Sequence, residues 1–131
     1  MAKATTAILL AAGEGKRMVS KKQKVMHNLC GRPMLGWVMR SVQQHITERP
    51  IVVLGFDGES VKDYFGKDCT YAYQQNVPGN RVDALRAGMS AVNADTGYVL
   101  VMAGNMPLIT DRTVAALVEA IAARWPECLL A

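Results

Sequence analysis

The chain lacks any apolar run approaching the ~18 residues that a membrane-spanning helix requires, so the sequence holds no transmembrane segment. Cysteine is scarce and odd in number: Cys30, Cys69 and Cys128 stand far apart, with no Cys-x-x-Cys pair. That spacing excludes a disulfide framework and a structural zinc site, and suits reduced thiols in a cytoplasmic protein. Aromatics are only 6% of the residues, and the basic stretch 16–32 contains none, which argues against a stacking platform for nucleic acid. Five prolines and eleven glycines in 131 residues exclude collagen-like and low-complexity character. The N-terminal apolar run Ala7–Ala12 is too short for a signal peptide and better suits a buried first strand.

Acid is also missing from one part of the chain. Residues 1–40 carry eight Lys/Arg against Glu14 alone, a net +7, while residues 41–131 carry −3. Five of those bases lie between Lys16 and Lys24 beside a glycine loop. Basic excess confined to one such segment points to phosphate binding rather than to a merely solvated face.

What is present is an alternation of short apolar runs and helical periodicities, at a length suited to one domain. Thr6–Leu10 reads as a strand buried on both faces, Gly13–Asn28 as a basic loop, and Cys30-Gly31-Arg32-Pro33 as a turn. Pro33 suits the first position of a helix whose apolar stripe is Met34, Leu35, Val38, Val42 and Ile46, with Pro50 as its stop. Ile51–Leu54 is a second strand, Ser60–Phe65 a short helix and Thr70–Tyr73 an edge strand. Val82, Leu85, Met89 and Val92 mark a third helix, and Tyr98–Ala103 is strand-like. Thr110 is a candidate N-cap for a last helix that buries Val114, Leu117, Val118 and Ile121 and is closed by Pro126. The apolar run Cys128–Ala131 then begins another strand.

This order predicts a three-layer α/β/α domain of Rossmann-like type with a mostly parallel sheet. Ligands of such sheets bind at the carboxyl ends of strands, near the switch in strand order. The loops 11–24, 74–81 and 103–107 follow strands and should converge there.

The segment Leu10-Ala11-Ala12-Gly13-Glu14-Gly15-Lys16-Arg17-Met18 leaves the first strand. Small residues and glycines let backbone N–H groups approach an oxyanion. Arg17 offers a rigid fork for phosphate oxygens, and Lys24 a flexible point charge. A dinucleotide fingerprint would need glycine where Met18 stands, and a Walker loop is absent. The other candidates read as structural. His27 is a loop or surface group, His45 is exposed on its helix, and Trp37 and Trp125 pack on helix faces. Asp57, Glu59, Asp63 and Asp68 surround a surface helix rather than a metal.

Leu-Ala-Ala-Gly-x-Gly-x-Arg-Met, Lys24-Val25-Met26-His27 and Gly31-Arg32-Pro33-Met34 together resemble the start of sugar-phosphate nucleotidylyltransferases. The likeness is greatest to the N-terminal pyrophosphorylase domain of the N-acetylglucosamine-1-phosphate uridylyltransferases. Ala103-Gly104-Asn105-Met106-Pro107-Leu108 resembles that family's Gly-Asp-x-Pro-Leu segment, and Leu85-Arg86-Ala87-Gly88-Met89 is similar to the molybdenum-cofactor nucleotidyltransferase branch. The resemblance implies that Leu10, Ala11, Ala12, Gly13 and Gly15 cradle a nucleoside triphosphate, UTP first among candidates. Arg17 and Lys24 would carry the catalytic charge neutralisation as a sugar 1-phosphate attacks. Gln75, or in second place Gln74, would read the base, with Asn80 beside it. Mg²⁺ would bind at position 105.

Departures from the family pattern accompany these matches. Lys16 stands for the usual Thr, Gln23 for Pro, Asn80-Arg81 for Gly-Thr, and Asn105 for the metal-binding Asp. An amide at 105 removes a full negative charge opposite the cation, so weakened metal binding and slow or absent turnover are expected. Residues 1–131 correspond to the nucleotide-binding half of the family's domain, so the sugar-binding half is expected beyond Ala131. The expected activity is uridylyl transfer from UTP to N-acetylglucosamine 1-phosphate. The alternatives are a non-catalytic nucleotide-binding module and a molybdenum-cofactor-type relative. Neither a membrane nor a nucleic acid is an expected partner.

Overall fold

The computed structural model describes residues 4–12, 24–55, 58–74 and 81–123. Six strands and four helices alternate along these segments. They are β1 (Thr5–Leu10), β2 (Asn28–Leu29), β3 (Arg32–Pro33), α1 (Met34–Gln43), β4 (Ile51–Leu54), α2 (Gly58–Phe65), β5 (Thr70–Tyr73), α3 (Arg81–Ser90), β6 (Tyr98–Ala103) and α4 (Asp111–Ala123). Four strands form one parallel sheet in the order β5-β4-β1-β6. β1 lies inside it, paired from Ile8↔Ile51 to Leu10↔Val53 on one side and from Thr5↔Tyr98 to Leu10↔Ala103 on the other.

Alternation along the strands divides the core. Ala7, Leu9, Val52, Leu54, Leu100 and Met102 face α1, α2 and α4, which contribute Leu35, Val38, Val42, Val61 and Val114. Ile8, Ile51, Val53 and Ala72 face the opposite layer, where α3 packs. The three-layer α/β/α architecture expected from the sequence is therefore present, with β5 at the sheet edge as expected.

Several boundaries differ from the sequence reading. Pro33 sits outside α1 as its N-cap residue, with ψ 148, and Met34 is the first helical residue. The helix stops at Gln43, well short of Pro50. The chain is drawn off it because Thr47 and Glu48 both donate backbone N–H groups to Thr5 O, at 3.0 and 3.1 Å. Ile46 packs on the core from beyond the helix end. His45 is half-buried rather than exposed, and its Nε2 is buried without a hydrogen-bond partner among the described residues.

α3 exists where the periodicity places it but presents another face. Val82 and Met89 are exposed, at 60% and 47%, while Ala84 and Gly88 are buried. A Cβ on Gly88 would lie 2.6 Å from Ile8 Cγ2 and 3.0 Å from Val53 Cγ2, so the helix approaches the sheet through its smallest residues. Of the turn expected over Cys30-Gly31-Arg32-Pro33, Cys30 and Gly31 form the tip of the β2–β3 hairpin, whereas Arg32 and Pro33 form β3 by pairing with Leu29 and Asn28. Both tip residues have positive φ, 52 and 82, as a two-residue type I′ connection requires. Thr110 caps α4 by accepting the Thr113 N–H at 3.3 Å. The side chain of Ile121 and residues Asp57, Trp125, Pro126 and Cys128–Ala131 lie outside what is described.

Candidate functional site

The strand order reverses at β1: the chain runs outward through β4 and β5, then returns to pair β6 on the other side of β1. The carboxyl ends of β1 and β6 therefore form the crevice in which doubly wound sheets place ligands. Three backbone hydrogen bonds extend the ladder just past the strands. Ala11 N donates to Val53 O at 3.0 Å, Gly104 N to Leu10 O at 2.8 Å, and Gln74 N to Leu54 O at 2.8 Å. The three loops expected to converge thus do leave the same end of the sheet.

Of the expected site residues, Leu10, Ala11, Ala12 and Asn105 come together here. Leu10 is paired with Ala103, Ala11 is buried, and Asn105 follows one residue after the Gly104 anchor, half-buried. Gly104 is closely surrounded, and a side chain there would require its neighbours to shift by a few tenths of an ångström. A Cβ there would meet Leu10 O at 3.0 Å, Leu35 Cδ1 at 3.1 Å and Val25 Cγ1 at 3.3 Å. Lys24 opens a single 3-10 turn, Lys24–Met26, whose Val25 and Met26 are buried in the core. The backbone at Lys24 is thereby fixed, while its side chain lies outside the described set. Gly13, Gly15, Arg17, Gln75 and Asn80 also lie outside the described residues.

Gln74 is buried at the end of β5. β4 lies between β1 and β5, which stand two strand spacings, about 10 Å, apart. Lys62 of α2 lies 5.8 Å from the rings of Tyr71 and Tyr73 on β5, and a hydrogen bond with Tyr73 raises the pKa of its ammonium group. At the opposite, amino end of β5, burial pushes the Cys69 thiol up, against a smaller downward pull from its hydrogen bond with Tyr71. The Tyr71 hydroxyl, also raised chiefly by burial, donates to Gly66 O at 2.8 Å.

A resident Mg²⁺ does not fit the donors described. Mg²⁺ is ordinarily held by one or two carboxylates together with substrate phosphates, whereas position 105 offers a neutral amide. Among the described residues no group of three His, Cys, Asp or Glu could hold a metal, and none of the helices is long and apolar enough to cross a membrane. His27 is half-buried, with Nε2 buried and unpartnered among the described residues.

One feature was not legible in the pattern of residues. Trp37, expected only to pack on its helix, lines a cavity of about 490 Å³ between α1, the β2–β3 hairpin and the segment Pro107–Asp111. Its indole Nε1 donates to Leu29 O at 2.7 Å. Residues from three separate segments meet there, and no spacing within any one of them announces the meeting.

Comparisons with known proteins agree with the geometry. Bifunctional protein GlmU from Geobacillus thermodenitrificans is 41% identical over 113 residues, covering 86% of this chain and 24% of that protein. This chain thus spans about a quarter of that relative's length. Among solved structures, Rv0371c from Mycobacterium tuberculosis superposes with a TM-score of 0.81 at 19% identity, covering 94% of this chain and 63% of that one. A nucleotidyl transferase from Methanothermobacter thermautotroptrophicus gives 0.75 at 22% identity, over 90% and 58%. At those identities the likeness shows the fold alone. The MobA-like NTP transferase domain family matches residues 7–131, and with the crevice formed by Leu10–Ala12 and Gly104-Asn105 this establishes that the chain belongs to that nucleotidyltransferase family.

Proposed function

We propose that the crevice binds UTP and that the family activity is uridylyl transfer to N-acetylglucosamine 1-phosphate, with release of pyrophosphate. The observation that carries this reading is the position of Leu10-Ala11-Ala12, which leads the glycine- and base-rich segment out of β1 at the reversal of strand order. Gly13 and Gly15 allow backbone donors close to phosphate oxygens. Arg17 and Lys24 supply the positive charge that offsets charge developing on the phosphates. Gln75, with Gln74 as the second candidate and Asn80 nearby, offers both a donor and an acceptor to a pyrimidine edge. Transfer of this kind needs positioning and charge neutralisation rather than a covalent intermediate.

Asn105 favours a second reading, a nucleotide-binding module with slow or no turnover. Calorimetric titration of UTP, CTP, GTP and ATP, with and without Mg²⁺, separates these readings from their failure. UTP preference is expected, with little gain from Mg²⁺; binding of none of the four removes the nucleotide reading. In a pyrophosphate-release assay with N-acetylglucosamine 1-phosphate, Asn105→Asp is expected to show magnesium-dependent activity well above the parent. Robust magnesium-dependent activity in the parent would overturn the role given to Asn105.

A further inference from the structure

We propose that the cavity between α1 and the Pro107–Asp111 segment is a second binding site. Its ligand is a small molecule with a flat apolar body and one anionic group. The volume of about 490 Å³ lies within the range of small-molecule sites, roughly 300–1,000 Å³. Among the described residues none of Leu10, Ala11, Ala12 or Asn105 lines it, and Pro107 is the residue it shares with the 103–107 loop.

The walls are tied in place. Ser41 Oγ lies 2.9 Å from Ile109 O and 3.1 Å from Trp37 O, joining α1 to the segment that leads into α4. Trp37 Nε1 donates to Leu29 O and joins α1 to the hairpin, and the Thr110 hydroxyl caps α4. These bonds occupy the indole N–H and the two hydroxyls, leaving mostly apolar surface toward the ligand. Leu108 on the rim is 84% exposed and Leu29 is 39% exposed, an uncovered apolar rim of the kind that marks binding surfaces.

Charge selects the ligand's head group. Arg40 lines the cavity, is exposed, and holds its guanidinium 6.0 Å from the Trp37 ring centroid. Among the described residues it has no ion-pair partner. Arg32 lies over the same ring at 4.8 Å and adds to the positive potential. The one carboxylate in the lining, Asp111, stands in the first turn of α4, where the helix N-terminus offsets its charge. An aryl carboxylate or sulfonate would lay its ring along Leu108, Ile109 and Trp37 and present its anion to the Arg40 fork.

The probe is 8-anilinonaphthalene-1-sulfonate, titrated into the intact chain by fluorescence. Saturable binding at one site is expected, weakened at least tenfold by Arg40→Glu and by Leu108→Asp. UTP should not compete with it, and the uncharged N-phenyl-1-naphthylamine should bind at least tenfold more weakly. Both substituted residues are exposed, and unchanged circular dichroism and UTP titrations would show that the variants fold. In the parent protein, amide shifts on titration should centre on Ser41 and Leu108–Asp111. The site is refuted by non-saturable binding, by binding indifferent to both substitutions, by competition with UTP, or by shifts centred elsewhere. Concentration-dependent self-association abolished by Leu108→Asp would assign the apolar rim to a second copy of the chain instead. Failure of UTP to bind leaves this inference standing, and failure of the probe leaves the nucleotide reading standing.

Discussion

At position 105 a side-chain amide stands in the loop that follows β6, one residue after a glycine whose surroundings would press on a methyl group. Gly104 holds that loop against β1 through its N–H bond to Leu10 O and through contacts with Leu35 and Val25 that any Cβ would tighten. Gly104→Ala is therefore expected to cost about 1–3 kcal/mol by overpacking, read as a lower midpoint in chemical denaturation. An unchanged midpoint would show that the loop yields freely. Asn105 itself was legible from sequence, because its neighbours Gly104, Pro107 and Leu108 place it in a recognisable frame. The crowding around Gly104 was not legible, since it arises from atoms of residues 10, 25 and 35, which are distant in the chain.

Elements were legible in proportion to how far local pattern decided them. β6 falls at Tyr98–Ala103 as read, because its apolar run is bounded and its alternate residues Leu100 and Met102 are buried. α4 begins where Thr110 predicts, and Thr110→Ala is expected to cost about 1 kcal/mol as a lost cap, while Thr110→Asn or Thr110→Asp should largely retain stability. The stop of α1 and the buried face of α3 were misread, because in each case a tertiary partner outweighed periodicity. Thr5 O captures the chain after Gln44, and the closeness of α3 to the sheet selects Ala84 and Gly88 over Val82 and Met89. The strand β5 carries a pH dependence of its own. Cys69 and Tyr71 both have folded values raised above their ordinary ones, mainly by burial. The unfolded chain therefore loses these protons first. The associated stability is full below the ordinary thiol value of 9.0 and is lost as pH rises above it. Thermal midpoints measured from pH 8 to pH 11 should fall, and the Cys69→Ala, Tyr71→Phe double variant should fall less steeply.

For the whole molecule, the division of charge is as informative as the sheet. A +7 segment is followed by a −3 remainder, and five of its eight bases lie at 16–24, in the stretch of sequence between Ala12 and Val25. UTP affinity is expected to fall as salt rises from 50 to 500 mM, with polyuridylate binding no more tightly than the mononucleotide. Much tighter, steeply salt-dependent polyuridylate binding would point to a nucleic-acid surface instead. The order β5-β4-β1-β6 gives that charge its setting, by placing the β1 and β6 loops side by side and the β5 loop two strands away.

The sequence by itself determined the α/β alternation, the strands at 51–54, 70–73 and 98–103, the cap at Thr110 and the glycine- and base-rich character of the segment after Leu10. Each of these follows from residue types at short spacing, where local conformation and solvent exclusion act over a few positions. Only the tertiary structure decided which face α3 buries, where α1 ends and how closely Gly104 is surrounded. It also brought Leu29, Trp37, Arg40 and Leu108 around one cavity. Those outcomes depend on atoms far apart in the chain meeting at van der Waals distance, and no local pattern encodes such a distance.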